Sequence, residues 1–344
     1  MNAPAKAYDG VNKYIRITDI DESTSIYKSD DTVSPDGLLS DEYLVKENDI
    51  LFARTGASTG KTYLYHKEDG RLFYAGFLIK ANVNNNCAPY FIFSQTKTQS
   101  YRRWVEIMSA RSGQPGINSQ EYASFPLYIP SEKEQEKIAL LLRGLDERII
   151  VQSKIIEEQE TLLKSLADKL FNTLDTVTKL HLSDISELYQ PKTIPLSNLS
   201  SKGYPVYGAN GIIGSYKNFN HTTEQICIAC RGSSCGSVNY TVPKAWITGN
   251  AMVVNTDNYS NIIDKRYLYY YLRRINYSAL ISGSGQPQIV RAPLANLIIP
   301  VSTLEKQKHV VLILDTVGQI LGTNKIILQH YKNQKAYLLS RMFI

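Results

Sequence analysis

The sequence predicts an α+β chain in which one module is written twice. Each copy is a mixed α/β globular unit followed by a long coiled-coil helix, and the two helices are expected to pair antiparallel as a pseudo-two-fold internal repeat. Three observations predict this. The loop SGQPGI at 112–117 returns as SGQPQI at 284–289, 172 residues on. The same shift carries Gln135 onto Gln307, Leu166 onto Leu338 and Phe171 onto Phe343. Two stretches of about 40 residues carry an apolar 4-3 rhythm, the 3.5-residue period of a coiled-coil seam.

The elements follow in one order in both copies. The strand in DILFARTGASTGKTY faces the strand in QICIACRGSSCGSVNY, each entering a Gly/Ser/Thr-rich turn, which sets Arg54 against Arg231. LFYAGFLIKANVN faces AWITGNAMVVNTD, a further strand. PYFIFSQTKTQSYRRW faces KRYLYYYLRRINY, a helix with basic residues at its end; Arg102, Arg103, Arg273 and Arg274 are expected on its solvated face and most of the tyrosines against the sheet. After the SGQP loop, FPLYIP and NLIIPV each give an apolar strand near a proline, Pro130 or Pro300. The second copy opens with LHLSDISELYQPKTIP ahead of YPVYGANG, whereas KYIRITDI in the first looks like the counterpart of YPVYGANG, so the first copy is expected to lack an opening strand and turn.

Ser131 with Glu134 three places on forms a capping box for the first long helix. Its seam reads Ile138, Leu142, Leu145, Ile149, Ile156, Leu163, Leu166 and Leu170, with Gln152 and Gln159 in the remaining slots. The second reads Val310, Leu314, Val317, Leu321, Leu328, Leu338 and Met342, with Asn324, Tyr331 and Lys335 in its polar or amphipathic slots. Gln152 and Asn324 are equivalent and mid-helix, so in an antiparallel pair they meet; either they set the register of the helix pair or each polar group only reaches the edge of the seam. The expected domains are 1–130, 131–173 (first helix), 174–301 and 302–344 (second helix).

Composition narrows the function. A chain of 344 residues, 43% apolar, has material for two cores. No unbroken apolar run reaches the roughly 18 residues of a bilayer span, and the start has no apolar signal core. A cytoplasmic protein with no membrane partner is expected. A net charge of +6 permits a polyanionic partner without requiring one. Of four cysteines, Cys227, Cys230 and Cys235 cluster, but no fourth ligand stands at zinc spacing, so reduced buried thiols and no metal are expected. GASTGKT resembles a phosphate loop, yet Gly56 and Gly60 enclose three residues where four are needed. Neither HExxH, a catalytic triad, GxGxxG opening a helix, nor a base-amino-methylation motif is found. No catalytic residue and no bound cofactor are expected.

A variable globular unit, then SGQP, a strand, a proline, EKEQEKIA and a heptad helix, all repeated, resembles the specificity subunit of type I restriction-modification systems. The resemblance covers nearly the whole chain and is strongest at 112–171 and 284–344. It implies two target recognition domains, each reading one half of a split site in double-stranded DNA, and a helix pair, about 60 Å long at 1.5 Å per residue, that sets the gap. It also implies docking of two methyltransferase subunits, with nuclease/translocase subunits joining through them. The specificity subunit of a type II-like methylating endonuclease, and a coiled-coil scaffold that binds no DNA, are the alternatives.

Under that resemblance, affinity comes from cations on phosphates, and sequence choice from side chains at base edges. Arginine suits guanine, and glutamine or asparagine suits adenine. The candidates on loops of the first copy are Arg16, Arg54, Lys61, Arg111, Gln114 and Asn118; those of the second are Tyr207, Asn210, Lys217, Arg231, Gln286, Gln288 and Arg291.

Overall fold

The computed structural model describes every residue except Ser23, Arg111, Ser112, Thr176, Ser284 and Ile344. It divides into two units: Met1–Ile155 with Asn324–Ile344, and Ile156–Thr323. Each unit takes in a globular part and stretches of both long helices, a division different from the expected boundaries after 130, 173 and 301.

Unit 1 opens with β1 (Ala5–Ala7), β2 (Lys13–Ile15) and β3 (Val33–Pro35), followed by β4 (Asp49–Ala53), β5 (Thr62–Leu64), β6 (Leu72–Tyr74) and β7 (Leu78–Asn82). The central antiparallel sheet has the order β5-β4-β7, while β2 runs parallel to β6 and β1 pairs with β3. β4 is apolar on both faces because alternate side chains serve two cores. Leu51 and Ala53 join Ile15, Ile20, Tyr63 and Leu72 on one face; Ile50 joins Phe91, Leu142 and Leu339 on the other.

Two expectations are corrected in this unit. The single helix expected over PYFIFSQTKTQSYRRW is broken into α1 (Pro89–Gln95) and α2 (Gln99–Ser109). The Thr96 hydroxyl donates to the Phe93 carbonyl at 2.7 Å and the Thr98 hydroxyl to that of Gln95 at 2.8 Å, and Thr98 then accepts from the Tyr101 N–H, capping a new start. A short α3 (Ser119–Ala123) follows. The expected strand in FPLYIP does not form: the described residues offer it no pairing partner, and residues 126–130 run as coil.

The first long helix, α4 (Glu132–Asn172), runs from unit 1 into unit 2. Its seam matches the 4-3 rhythm: Leu142, Leu145, Ile149, Ile156 and Leu163 are buried, and Glu147, Arg148, Lys154 and Glu157 beside them are exposed.

Unit 2 adds β8 (Thr178–His181), β9 (Glu187–Tyr189), β10 (Tyr204–Gly208), β11 (Gly211–Tyr216), β12 (Ile226–Ala229), β13 (Val238–Tyr240), β14 (Trp246–Ile247) and β15 (Ala251–Asn255). After α5 (Lys265–Arg274) and α6 (Arg291–Ala295) come β16 (Ile298–Val301) and the second long helix, α7 (Leu304–Met342). The sheet β13-β12-β15-β9 repeats β5-β4-β7 with one strand more, and β10 parallel to β14 repeats β2 parallel to β6. NLIIPV does form a strand here, since β16 pairs with β8.

Within unit 1 the helices run in opposite senses: Asp146 meets Lys335, Arg148 lies over Tyr331, and Gln152 meets Asn324. α7 also contains a stretch long and apolar enough, by length and composition alone, to cross a membrane. Asp315 on this helix is ion-paired with Arg266 of α5 and accepts from the Tyr270 hydroxyl.

The start of each long helix is fastened by a buried glutamine. Gln135 accepts from the Ala88 N–H at the cap of α1 at 3.0 Å, and its amide donates to the Pro130 carbonyl. Gln307 accepts from the Asp264 N–H at the cap of α5 at 2.7 Å, and donates to the carbonyls of Ile262 and Ser302. A side chain with both a donor and an acceptor satisfies helix-end groups that an apolar residue leaves orphaned.

Candidate nucleic-acid interface

The two Gly/Ser-rich turns are stapled to the SGQP loops by the same backbone bonds. In unit 1 the Gly56 N–H donates to the Pro115 carbonyl, the Ile117 N–H to the Arg54 carbonyl, and the Arg54 N–H to the Phe77 carbonyl. In unit 2 the Gly232 N–H donates to the Pro287 carbonyl, the Ile289 N–H to the Cys230 carbonyl, and the Cys230 N–H to the Asn250 carbonyl. Both turns depend on left-handed glycines, φ 75° and 89° at Gly56 and Gly60, and φ 80° and 92° at Gly232 and Gly236.

This geometry moves the sequence alignment by one residue. Arg54 corresponds to Cys230, and Arg231 corresponds to Thr55; Thr55 bridges Gly116 just as Arg231 bridges Gln288. The two arginines therefore leave neighbouring positions of one shared turn. Both are exposed. Cys230 is buried, its Sγ 2.9 Å from the Gln190 amide, and burial pushes its thiol upward. Burial takes the Cys227 thiol up to about 12. All four cysteines are free thiols.

The structure brings Arg54 and Gln114 together across one turn, and Arg231, Gln286 and Gln288 across the other. Gln114, Gln286 and Gln288 are exposed, and the Gln114 amide lies against Gly56. Asn210, at the β10–β11 hairpin turn, and Lys217, just beyond β11, are also exposed. Arg291 begins α6 and lines a cavity with Ser183, Glu187 and Tyr259. Arg111 lies outside the described residues.

Four candidates are committed elsewhere. Arg16 is held by Asp19 at 2.8 Å and by Asp31 at 3.3 Å, where it closes a 3₁₀ turn. Asn118 caps α3: its side chain accepts from the Glu121 N–H while Glu121 accepts in return. Tyr207 is buried in the core with Cys227, Ile247 and Val253, and its hydroxyl accepts from the Val242 N–H. The Lys61 ammonium, half-buried, lies 3.4 Å from the Ile20 carbonyl. The chain after Gly60 forms β5 and not a helix, so GASTGKT has no helix N-terminus to receive a phosphate.

Arg274 differs from the solvated position expected of it. It pairs with Asp168 of α4 at 2.7 Å and lies over the Phe171 ring. Tyr267 and Tyr270 of α5 are buried as expected. The paired role of Gln135 and Gln307 was not read from sequence, although their 172-residue spacing was the signal for it.

Residues 2–161 and 175–330 match the family described as type I restriction modification DNA specificity domain. A Haemophilus influenzae protein provisionally named a type I restriction enzyme specificity subunit is 31% identical over 129 residues, covering 37% of this chain and 33% of the relative. The type I restriction enzyme EcoprrI specificity subunit of Escherichia coli is 31% identical over 123 residues, 36% of this chain and 29% of the relative. The matched stretch thus spans about a third of each of these curated relatives. A crystal structure of a type I restriction-modification S subunit from M. genitalium shares the fold, with a TM-score of 0.69 at 18% identity over 98% of this chain and 89% of that one.

Proposed function

Because the chain belongs to the type I restriction modification DNA specificity domain family, which matches it twice, we propose that it is the DNA-reading specificity subunit of a type I restriction-modification complex. Each unit reads one half of a split target in double-stranded DNA. The observation that carries this reading is the duplicated turn, which holds Arg54 beside Gln114 in one unit and Arg231 beside Gln288 in the other, all exposed. Lysine and arginine on phosphates supply affinity, and the arginine and glutamine ends supply base-edge donors. An identical staple with different side chains suits two readers of different bases.

On this reading the chain is not catalytic by itself and binds no cofactor. It works in the cytoplasm. The long helices set the gap between the half-sites and dock two methyltransferase subunits, through which nuclease/translocase subunits join.

Methylated adenines mapped across the genome of a host carrying this chain with its methyltransferase partner test the proposal. A two-part motif with a fixed gap is the expected result. A motif that persists when this chain is deleted overturns it.

A further inference from the structure

The two units differ in how a cation beside the long helices is neutralised. In unit 2, Arg274 at the end of α5 pairs with Asp168 of α4 at 2.7 Å. The place of Asp168, 172 residues on, is held in α7 by Ser340. The unit 1 counterpart of α5 is α1, and Lys97 follows directly after its end. Unit 1 therefore keeps the cation and lacks the carboxylate.

Lys97 and Ser340 border a cavity of about 320 Å³, with Arg102, Lys332 and Lys335 in its wall; its carboxylates are Glu22 and Asp146. Asp146 and Lys335 replace Gly318 and Leu163 of the other copy and are ion-paired with each other. The Lys97 ammonium donates only to neutral oxygens: the Ser25 hydroxyl at 2.8 Å, and the hydroxyl and carbonyl of Thr62. Ser25 presents that hydroxyl from a left-handed backbone, φ 61°, which a non-glycine residue adopts at a cost. Arg102 and Lys332 are exposed and have no ion-pair partner among the described residues. Setting Glu22 against one of Lys97, Arg102 and Lys332 leaves two positive charges uncompensated. Desolvation, joined by the Lys335 and Arg102 charges, pulls the Lys97 pKa well below the ordinary 10.5, and Asp146 opposes it. An anion here restores the balance that Asp168 gives unit 2.

We propose that this cavity binds a small phosphate dianion, either the free ion or the terminal group of a small organic ester. Arg102 and Lys332 supply unengaged donors in the wall, with the exposed Gln99 amide beside them, and Lys97 adds charge. Two uncompensated charges match a dianion and leave a carboxylate or chloride one charge short. A phosphodiester of duplex DNA carries a single charge and stays on its strand, so it matches neither the charge nor the size of the cavity. The inference stands independently of the DNA reading.

The test is calorimetric titration of the full chain, at fixed ionic strength, with inorganic phosphate and with glycerol 3-phosphate. Saturable binding of a single equivalent is expected. Arg102→Ala and Lys332→Ala, both at exposed sites, are each expected to weaken it about tenfold, the worth of one hydrogen bond to a charged group. Ser340→Asp supplies the carboxylate that unit 2 carries, and is expected to abolish binding without lowering the thermal melt measured free of phosphate. Tighter binding of glycerol 3-phosphate assigns an ester as the occupant; tighter binding of phosphate assigns the free ion. Absence of saturable binding overturns the proposal. So does binding that Ser340→Asp leaves unchanged, which places the anion on other lysines and arginines. Displacement of the anion by a short DNA duplex also overturns it, because the cavity then takes backbone phosphate.

Discussion

The Gln152 amide donates to the Asn324 side-chain carbonyl at 2.9 Å, joining two residues that are 172 positions apart and hold the same place in their helices. Around them the seam is apolar. A polar pair in such a seam gives up burial energy and gains a single favoured register. Replacing both residues with leucine is expected to raise the melting temperature of unit 1 while loosening register. A double-mutant cycle should show coupling of about 0.5–2 kcal/mol. Spin labels at positions 148 and 331 should report a single distance in the parent and a spread in the double variant. Zero coupling and an unchanged distance would remove the register role.

The glutamine fastenings predict a penalty in each copy, larger for Gln307, which serves three backbone groups, than for Gln135, which serves two. Gln135→Leu strips partners from the Ala88 N–H and the Pro130 carbonyl; Gln307→Leu does so for the Asp264 N–H and two carbonyls. At about 1–3 kcal/mol for each buried group left unsatisfied, Gln135→Leu should cost roughly 2–6 kcal/mol and Gln307→Leu roughly 3–9 kcal/mol at most. Denaturant titration of the single and paired variants checks this, and the penalties should add because the sites share no partner. A cost below that of an ordinary surface substitution would remove the glutamines from what fastens the starts of the long helices.

Acid should weaken unit 2 through His221. Its ring stacks on Tyr189, with Nε2 2.9 Å from the Tyr189 hydroxyl and Nδ1 2.6 Å from the Asn220 side-chain oxygen. Burial lowers its pKa from the ordinary 6.5, while Asp257 pulls the other way and Lys265 adds to the lowering. The unfolded chain therefore takes up the proton first. The stabilisation is fully present above about 6.5 and is lost as pH falls below that value. Stability measured from pH 7.5 to 5 should decline, and His221→Gln should flatten that slope. A parallel decline in both proteins would place the acid sensitivity elsewhere.

The repeat, the seam and the turn–loop order were legible because each rests on a period or a spacing. Periodicity reports which face is buried, and the seam from Leu142 to Leu163 is buried as its 4-3 rhythm requires. Partnership is not written in a segment's own residues. FPLYIP and NLIIPV have similar apolar patterns, yet only the latter becomes a strand, because β8 lies beside it. Likewise Arg16 and Asn118 have the chemistry of DNA readers, but nearby carboxylates and helix ends claim them first. The one-residue error between Arg54 and Arg231 came from matching side chains where the left-handed glycines set the frame.

That corrected frame yields the last prediction. Arg54 and Arg231 leave adjacent positions of one shared turn, so they are expected to address different places within their half-sites. Arg54→Ala should alter only the half read by unit 1, and Arg231→Ala only the half read by unit 2. Each loss should be about 1–3 kcal/mol of DNA affinity, with assembly of the methyltransferase complex unchanged. Binding measured across a salt series separates the two chemistries. A phosphate contact weakens binding to every sequence and lowers the salt slope by about 1; a base contact relaxes choice at a single position and leaves the slope nearly intact. Affinity, slope and target motif all unchanged in both variants would take these turns out of the interface and return the search to Asn210 and Lys217 of the second unit, which are exposed at and just beyond the β10–β11 hairpin.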